Sequence, residues 1–151
     1  MLSRRRWILC VMALAATGPA KAQERKGKFA DPQPDIDNPR KIVVSLSEDD
    51  PKRINAVLSN IVNIQKYYDA AQVRLAVIAY GPGIAAVLKD SPVAPRIAGL
   101  QDLDVEFIAC GATLETMNKS ESDLLPEIAV VPNGLPEIVE RGLTGWTHLH
   151  P

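Results

Sequence analysis

The chain has 151 residues, 46% of them apolar, with 17 basic against 18 acidic side chains and a net charge of −1. Four of the basic residues, Arg4, Arg5, Arg6 and Lys21, fall within the first 22 positions, so the remainder is mildly acidic. A chain of that sign has no electrostatic footprint for nucleic acid or for an anionic membrane surface, and its length suits one domain rather than two.

Taken in chain order, the basic cluster Arg4 to Arg6 precedes the apolar run Trp7 to Ala16 and the small-x-small end Ala20-Lys21-Ala22. That charged, apolar and cleavable order predicts a signal peptide over residues 1–22. The apolar run is shorter than the roughly 20 residues of a membrane span. Ser3-Arg4-Arg5-Arg6-Trp7-Ile8-Leu9 also resembles the twin-arginine export motif. The expectation is a periplasmic protein, exported by the twin-arginine or the general secretory route and free of the membrane after cleavage before Gln23. Cys10 leaves with the signal, and the mature chain then carries Cys110 alone and cannot form an internal disulfide. In an oxidising compartment such a cysteine is buried and inert, paired with another chain, or kept for its reactivity.

Residues 23–40 are polar, contain Pro32, Pro34 and Pro39, and have little to bury, which predicts an extended or disordered lead-in to a domain over 41–151. Ile42 to Leu46 reads as a strand buried on both faces. Asp50 caps a helix that starts at Pro51 and buries Ile54, Val57, Leu58, Ile61, Ile64 and Tyr68. Val73 to Tyr80 is a second strand, Gly81-Pro82-Gly83 a sharp turn, and Ile84 to Leu88 and Val93 to Leu100 short helices. Val105 to Cys110 is the third strand, followed by a helix around Ala112 to Lys119. Glu127 to Val131, Leu135 to Arg141 and Trp146 to Leu149 complete the set as strand, helix and strand. Strands alternating with helices at this spacing imply right-handed crossovers and a three-layer α/β/α sandwich with a parallel sheet of about five strands.

Sites in such sheets form beyond the carboxyl ends of the strands. Cys110 ends the third strand and precedes a helix, where backbone N–H groups and the helix dipole lower a thiol's pKa. Glu106 and Glu115 lie close in sequence and are expected to oppose that effect; the alternative is a small apolar side chain ending a strand. Gly81-Pro82-Gly83 is too short for a dinucleotide fingerprint, and no phosphate loop or Ser/His/Asp pattern occurs. His148 and His150 share one face of the last strand and can ligate a metal, with Cys110 as a third ligand if the strands adjoin. The ordinary reading is a solvated tail, with no metal and no cofactor. Asn60 and Asn63 on the long helix face water or a partner subunit.

Lys41-Ile-Val-Val44, Ala56-Val-Leu-Ser-Asn-Ile-Val-Asn63, Gly81-Pro-Gly-Ile84, Val105-Glu-Phe-Ile-Ala-Cys-Gly-Ala-Thr-Leu114 and Gly145-Trp-Thr-His-Leu-His-Pro151 occur in that order. Together they resemble the DsrE/DsrF-like sulfur-relay family, in its exported single-domain branch. The resemblance implies a five-stranded parallel fold, a homo-oligomer (trimer or hexamer), and sulfur carried as a persulfide between donor and acceptor proteins. The carrier cysteine of the family corresponds to Cys110. After it, Gly111-Ala-Thr-Leu114 stands where the sulfur carriers have small residues ending in an Arg-Gly pair. The implied function is handling of sulfane sulfur, at most as a sulfurtransferase-like carrier. The alternative is a non-catalytic oligomeric binding or scaffolding module with a structural cysteine.

Overall fold

The computed structural model describes residues 29–151. The expected signal peptide and the start of the lead-in lie outside these residues. Among the described residues no helix is long and apolar enough to cross a membrane.

Five strands, β1 (Arg40–Leu46), β2 (Val73–Ala79), β3 (Val105–Cys110), β4 (Ala129–Val131) and β5 (Thr147–Leu149), form one sheet in the order β4-β3-β2-β1-β5. All pairings are parallel. The helices between them are α1 (Pro51–Tyr68), α2 (Ala94–Gln101), α3 (Gly111–Thr116) and α4 (Gly134–Leu143). This is the expected α/β architecture. The physical reason is visible in the central strands, whose β-branched and small residues are buried on both faces, as a doubly covered parallel sheet requires.

Side chains that alternate along the strands sort into two cores. On one face Val44, Leu46, Leu75, Val77 and Phe107 pack against α1 through Ile54, Val57, Leu58 and Ile61, against α2 through Ile97 and Leu100, and against Leu114 of α3. On the other face Val43, Ala76, Ile78 and Ile108 meet Ile138 of α4, with Tyr80, Val131 and Trp146 at the margin. Three helices therefore cover one face and a single helix covers the other. Helix α4 crosses that second face, carrying the chain from β4 at one edge to β5 at the opposite edge. Arg141 fastens it there. Its guanidinium donates to both oxygens of Glu106 on β3 at 2.9 and 3.0 Å, donates to Glu137 at 2.8 Å, and lies 4.6 Å from the Trp146 ring.

Two expected elements differ. The segment after β2 is a 3-10 helix over Gly81–Val87 rather than a short α-helix at 84–88. Gly81 takes φ +53°, and Gly83 passes so close to the Leu46 carbonyl that a Cβ would lie 2.0 Å from its oxygen. Strand β4 begins at Ala129, later than Glu127, because Glu127 adopts φ +59° and breaks the extended backbone.

The described part of the lead-in runs along the domain without strand or helix before Arg40. Phe29 stacks on Tyr68 at 5.2 Å and meets Tyr67 edge-on at 5.3 Å at the end of α1. Arg40 donates to the Ala30 carbonyl at 2.6 Å, tying this segment to the start of β1.

Candidate functional site

Strands β3 and β4 are neighbours, yet their chains leave in opposite directions. From β3 the chain enters α3 on the three-helix face, and from β4 it enters α4 on the other. A crevice opens beyond the carboxyl ends of two such strands, at the point where an α/β sheet switches direction. Cys110 is the last residue of β3 and the residue before α3, so its side chain stands in that crevice. The two walls are close. The Ala112 N–H donates to the Pro132 carbonyl at 3.0 Å, and a Cβ on Gly134 would lie 3.2 Å from the Cys110 Cβ and 3.0 Å from Ile78. Only glycine lets α4 start so near the cysteine.

The starts of α3 and α4 border the sulfur. Burial opposes ionisation and is the largest single influence on the thiol. The Thr113 hydroxyl and the backbone N–H groups of Gly134, Thr113 and Ala112 together outweigh it, and the pKa of Cys110 lies below the ordinary thiol value. Cys110 is the residue before α3, next to the N–H groups of its first turn, although its side chain makes no capping hydrogen bond there. Gly134 opens α4, and its N–H, the first of that helix, is among the groups that favour the Cys110 thiolate. Thr113 in turn accepts the Gly81 N–H at 3.1 Å, so its proton is free to point at Cys110.

Of the two carboxylates close to the cysteine in sequence, Glu106 is engaged elsewhere. Glu106 sits four residues earlier in β3 and is neutralised by Arg141. The Cys110 residue is only 4% exposed. Beside it, a groove of about 520 Å³ begins at Gly111 and Ala112 and runs past Glu115, Lys119, Val131 and Pro132.

His148 and His150 do not meet Cys110. His148 lies on β5 and His150 just beyond it, at one edge of the sheet, three strand positions from β3, which at about 4.8 Å per step is roughly 14 Å. Both rings instead contact the Ser45 hydroxyl of β1, His148 Nε2 at 2.7 Å and His150 Nδ1 at 2.9 Å. Among the described residues no three His, Cys, Asp or Glu side chains gather around one point. Asn60 and Asn63 line a groove of about 440 Å³ between α1 and the end of β5, together with Tyr67, Tyr68 and His150. Asp50 caps α1 as expected, accepting the Lys52 N–H at 2.9 Å, and Glu48 pairs with Arg53 at 3.1 Å.

Sequence reasoning missed Thr113, Gly134 and Ser45. Thr113 has a local signal, a hydroxyl three residues after a cysteine that precedes a helix. Ser45 has one too, as the lone polar residue among Ile42, Val43, Val44 and Leu46. Gly134 has none, since only the sheet order brings it to Cys110.

A parallel five-stranded α/β domain with one cysteine held between two helix starts at the switch point is the class these observations define. The sequence profile of the DsrE/DsrF-like family matches residues 41–151. The chain belongs to that family. It is 31% identical to a protein of unknown function, MTH1491 from Methanobacterium thermoautotrophicum, over 74% of this chain and 99% of that one, with a TM-score of 0.72. BT1422 from Bacteroides thetaiotaomicron, 18% identical over 74% and 94% of the two chains, shares the fold at a TM-score of 0.59. The ychN protein from E. coli does so at 0.58, with 12% identity over 75% and 99%. No curated protein matches the chain.

Proposed function

We propose that Cys110 is a sulfur-carrying thiolate that accepts sulfane sulfur from a donor persulfide and passes it to an acceptor thiol. The observation that carries this reading is the placement of Cys110 between the starts of α3 and α4, whose N–H groups, with the Thr113 hydroxyl, favour the anion despite its burial. Membership of the sulfur-relay family supports it. In the loading step the Cys110 thiolate attacks the terminal sulfur of the donor persulfide. A new S–S bond forms on Cys110, the donor S–S bond breaks, and the donor leaves as a thiolate, with no external oxidant or reductant. In the unloading step an acceptor thiolate attacks the terminal sulfur and Cys110 departs as a thiolate, the better leaving group for its lowered pKa. The same N–H groups and Thr113 hydroxyl stabilise the negative charge in both states.

Export to the periplasm belongs to this proposal and rests on the pattern of residues 1–22. So does assembly into a homo-oligomer, a trimer or hexamer, which the apolar outer face of α4 supports. There Leu135, Val139 and Leu143, spaced by four residues, are 55%, 59% and 77% exposed.

The 4% exposure of Cys110 favours a second reading, an oligomeric binding or scaffolding module with a structural cysteine. The two separate on one measurement. Incubation with a low-molecular-weight persulfide, followed by intact-mass analysis, is expected to add one sulfur atom to the wild type and none to Cys110→Ser. A native protein that takes up no sulfur, and whose thiol resists alkylation until denaturant is added, would overturn the carrier in favour of the module.

A further inference from the structure

Cys110 is 4% exposed, so a thiol that exchanges sulfur has to be uncovered before a donor or an acceptor reaches it. Two walls enclose it, the start of α3 and the start of α4, and they are held unequally. Helix α3 is anchored through its first turn. The Ala112 N–H donates to the Pro132 carbonyl at 3.0 Å, Thr113 accepts the Gly81 N–H at 3.1 Å, and Leu114 is buried in the core of the three-helix face.

The first turn of α4 has no comparable hold. It consists of Gly134, Leu135 and Pro136. Glycine is the poorest helix former after proline. Leu135 is helical although it precedes a proline, whose ring clashes with that conformation in the residue before it. Pro136 has no N–H to donate. The Asn133 side chain makes no cap, and the Glu137 N–H reaches the Asn133 carbonyl only at 3.3 Å. From Ile138 onward the helix is secured, because Ile138 is buried among Val43, Ala76, Ile78 and Ile108 and Arg141 is fastened to Glu106. A helix pinned at its far end and weak in its first turn opens at that turn.

We propose that residues 134–136 are a door over Cys110, unwinding between two fixed posts, Pro132 and Ile138, while the rest of α4 stays in place. Closed, the door presents the Gly134 N–H to the sulfur and favours the thiolate; open, it admits the partner's sulfur. The use of the door rests on the sulfur-carrier reading, but its existence is tested without sulfur transfer. Leu135 also begins the exposed stripe of α4, so a second copy seated there would hold the door closed.

The test is alkylation of the native protein with iodoacetamide at fixed protein concentration and across sub-denaturing urea, with the label located by peptide mass mapping. Cys110 of the wild type is expected to react roughly ten to a thousand times more slowly than in the unfolded chain, as for a door open about 0.1–10% of the time. The urea dependence should fall far below that of global unfolding, because one helical turn exposes little surface. Leu135→Gly reacts about fourfold faster. Glu106→Gln, which frees the far end of α4 from β3, leaves the rate unchanged. Four results would each overturn the door: labelling with the urea dependence of global unfolding, labelling as fast as in the unfolded chain, an unchanged rate in folded Leu135→Gly, or an equal acceleration by Glu106→Gln. Sulfur uptake from a low-molecular-weight persulfide is read separately. The expected labelling pattern without sulfur uptake supports the door and removes the carrier, whereas sulfur uptake without that pattern removes the door alone.

Discussion

The Thr113 hydroxyl works in two directions, accepting the Gly81 N–H and facing the Cys110 sulfur with its proton. A hydrogen bond to a charged group contributes about 1.5–3 kcal/mol, so losing it shifts an ionisation equilibrium about tenfold or more. Thr113→Val, which keeps the shape and removes the hydroxyl, is therefore expected to raise the thiol's pKa and slow its alkylation at pH 7 about tenfold. An unchanged rate–pH profile would show that the hydroxyl does not act on the sulfur. The same depression has a sign for stability. A thiol whose pKa is lower in the folded chain stabilises the fold above its unfolded value of about 8.5 and loses that contribution as the pH falls through the folded value. The stability advantage of the wild type over Cys110→Ser should accordingly grow as the pH is raised through this window.

At the scale of elements, the start of α4 both shapes the crevice and bounds the cysteine. Gly134→Ala would place a Cβ against Ile78 and Cys110, and overpacking of this kind costs about 1–3 kcal/mol. Urea denaturation is expected to show that loss, together with a raised thiol pKa as the Gly134 N–H withdraws. A variant with wild-type stability and thiol reactivity would mean the helix start moves freely. Much of this layer was legible in the chain. The β-branched runs at 42–46 and 105–110 are strands, the Asp50-Pro51 start and apolar spacing of α1 hold, and the alternation of elements implies the parallel sheet. Local pattern failed where a distant backbone intervened. Gly83 is pressed against Leu46 within the 3-10 turn, an approach that no periodicity near residue 84 records. The site divides in the same way. The position of Cys110 at a strand end is local information, whereas its approach to Gly134 and the meeting of Ser45 with His148, 103 residues on, depend on strand order.

For the whole molecule, the unequal covering of the sheet is the feature that points outward. Three helices bury one face, and the single helix on the other turns Leu135, Val139 and Leu143 to solvent. The assembly proposed above would cover this stripe. Light scattering at micromolar concentration is expected to give a trimer or hexamer, and Leu143→Glu, at a position 77% exposed in the isolated chain, to yield a folded smaller species. A wild-type monomer would remove the assembly from the proposal.

The long crossing of α4 also sets an order of events. Strand β5 pairs with β1 through Val43 and His148, so the last strand of the sheet closes a loop of nearly the whole domain against the first. Chain entropy makes such a closure late, because every shorter pairing, β1 with β2, β2 with β3 and β3 with β4, can form before it. The outer flank of β1 therefore stays unpaired throughout synthesis until residues 147–149 have emerged. During that interval the nascent domain presents a bare, largely apolar strand margin that other chains could add to, and β5 is the strand that shuts it.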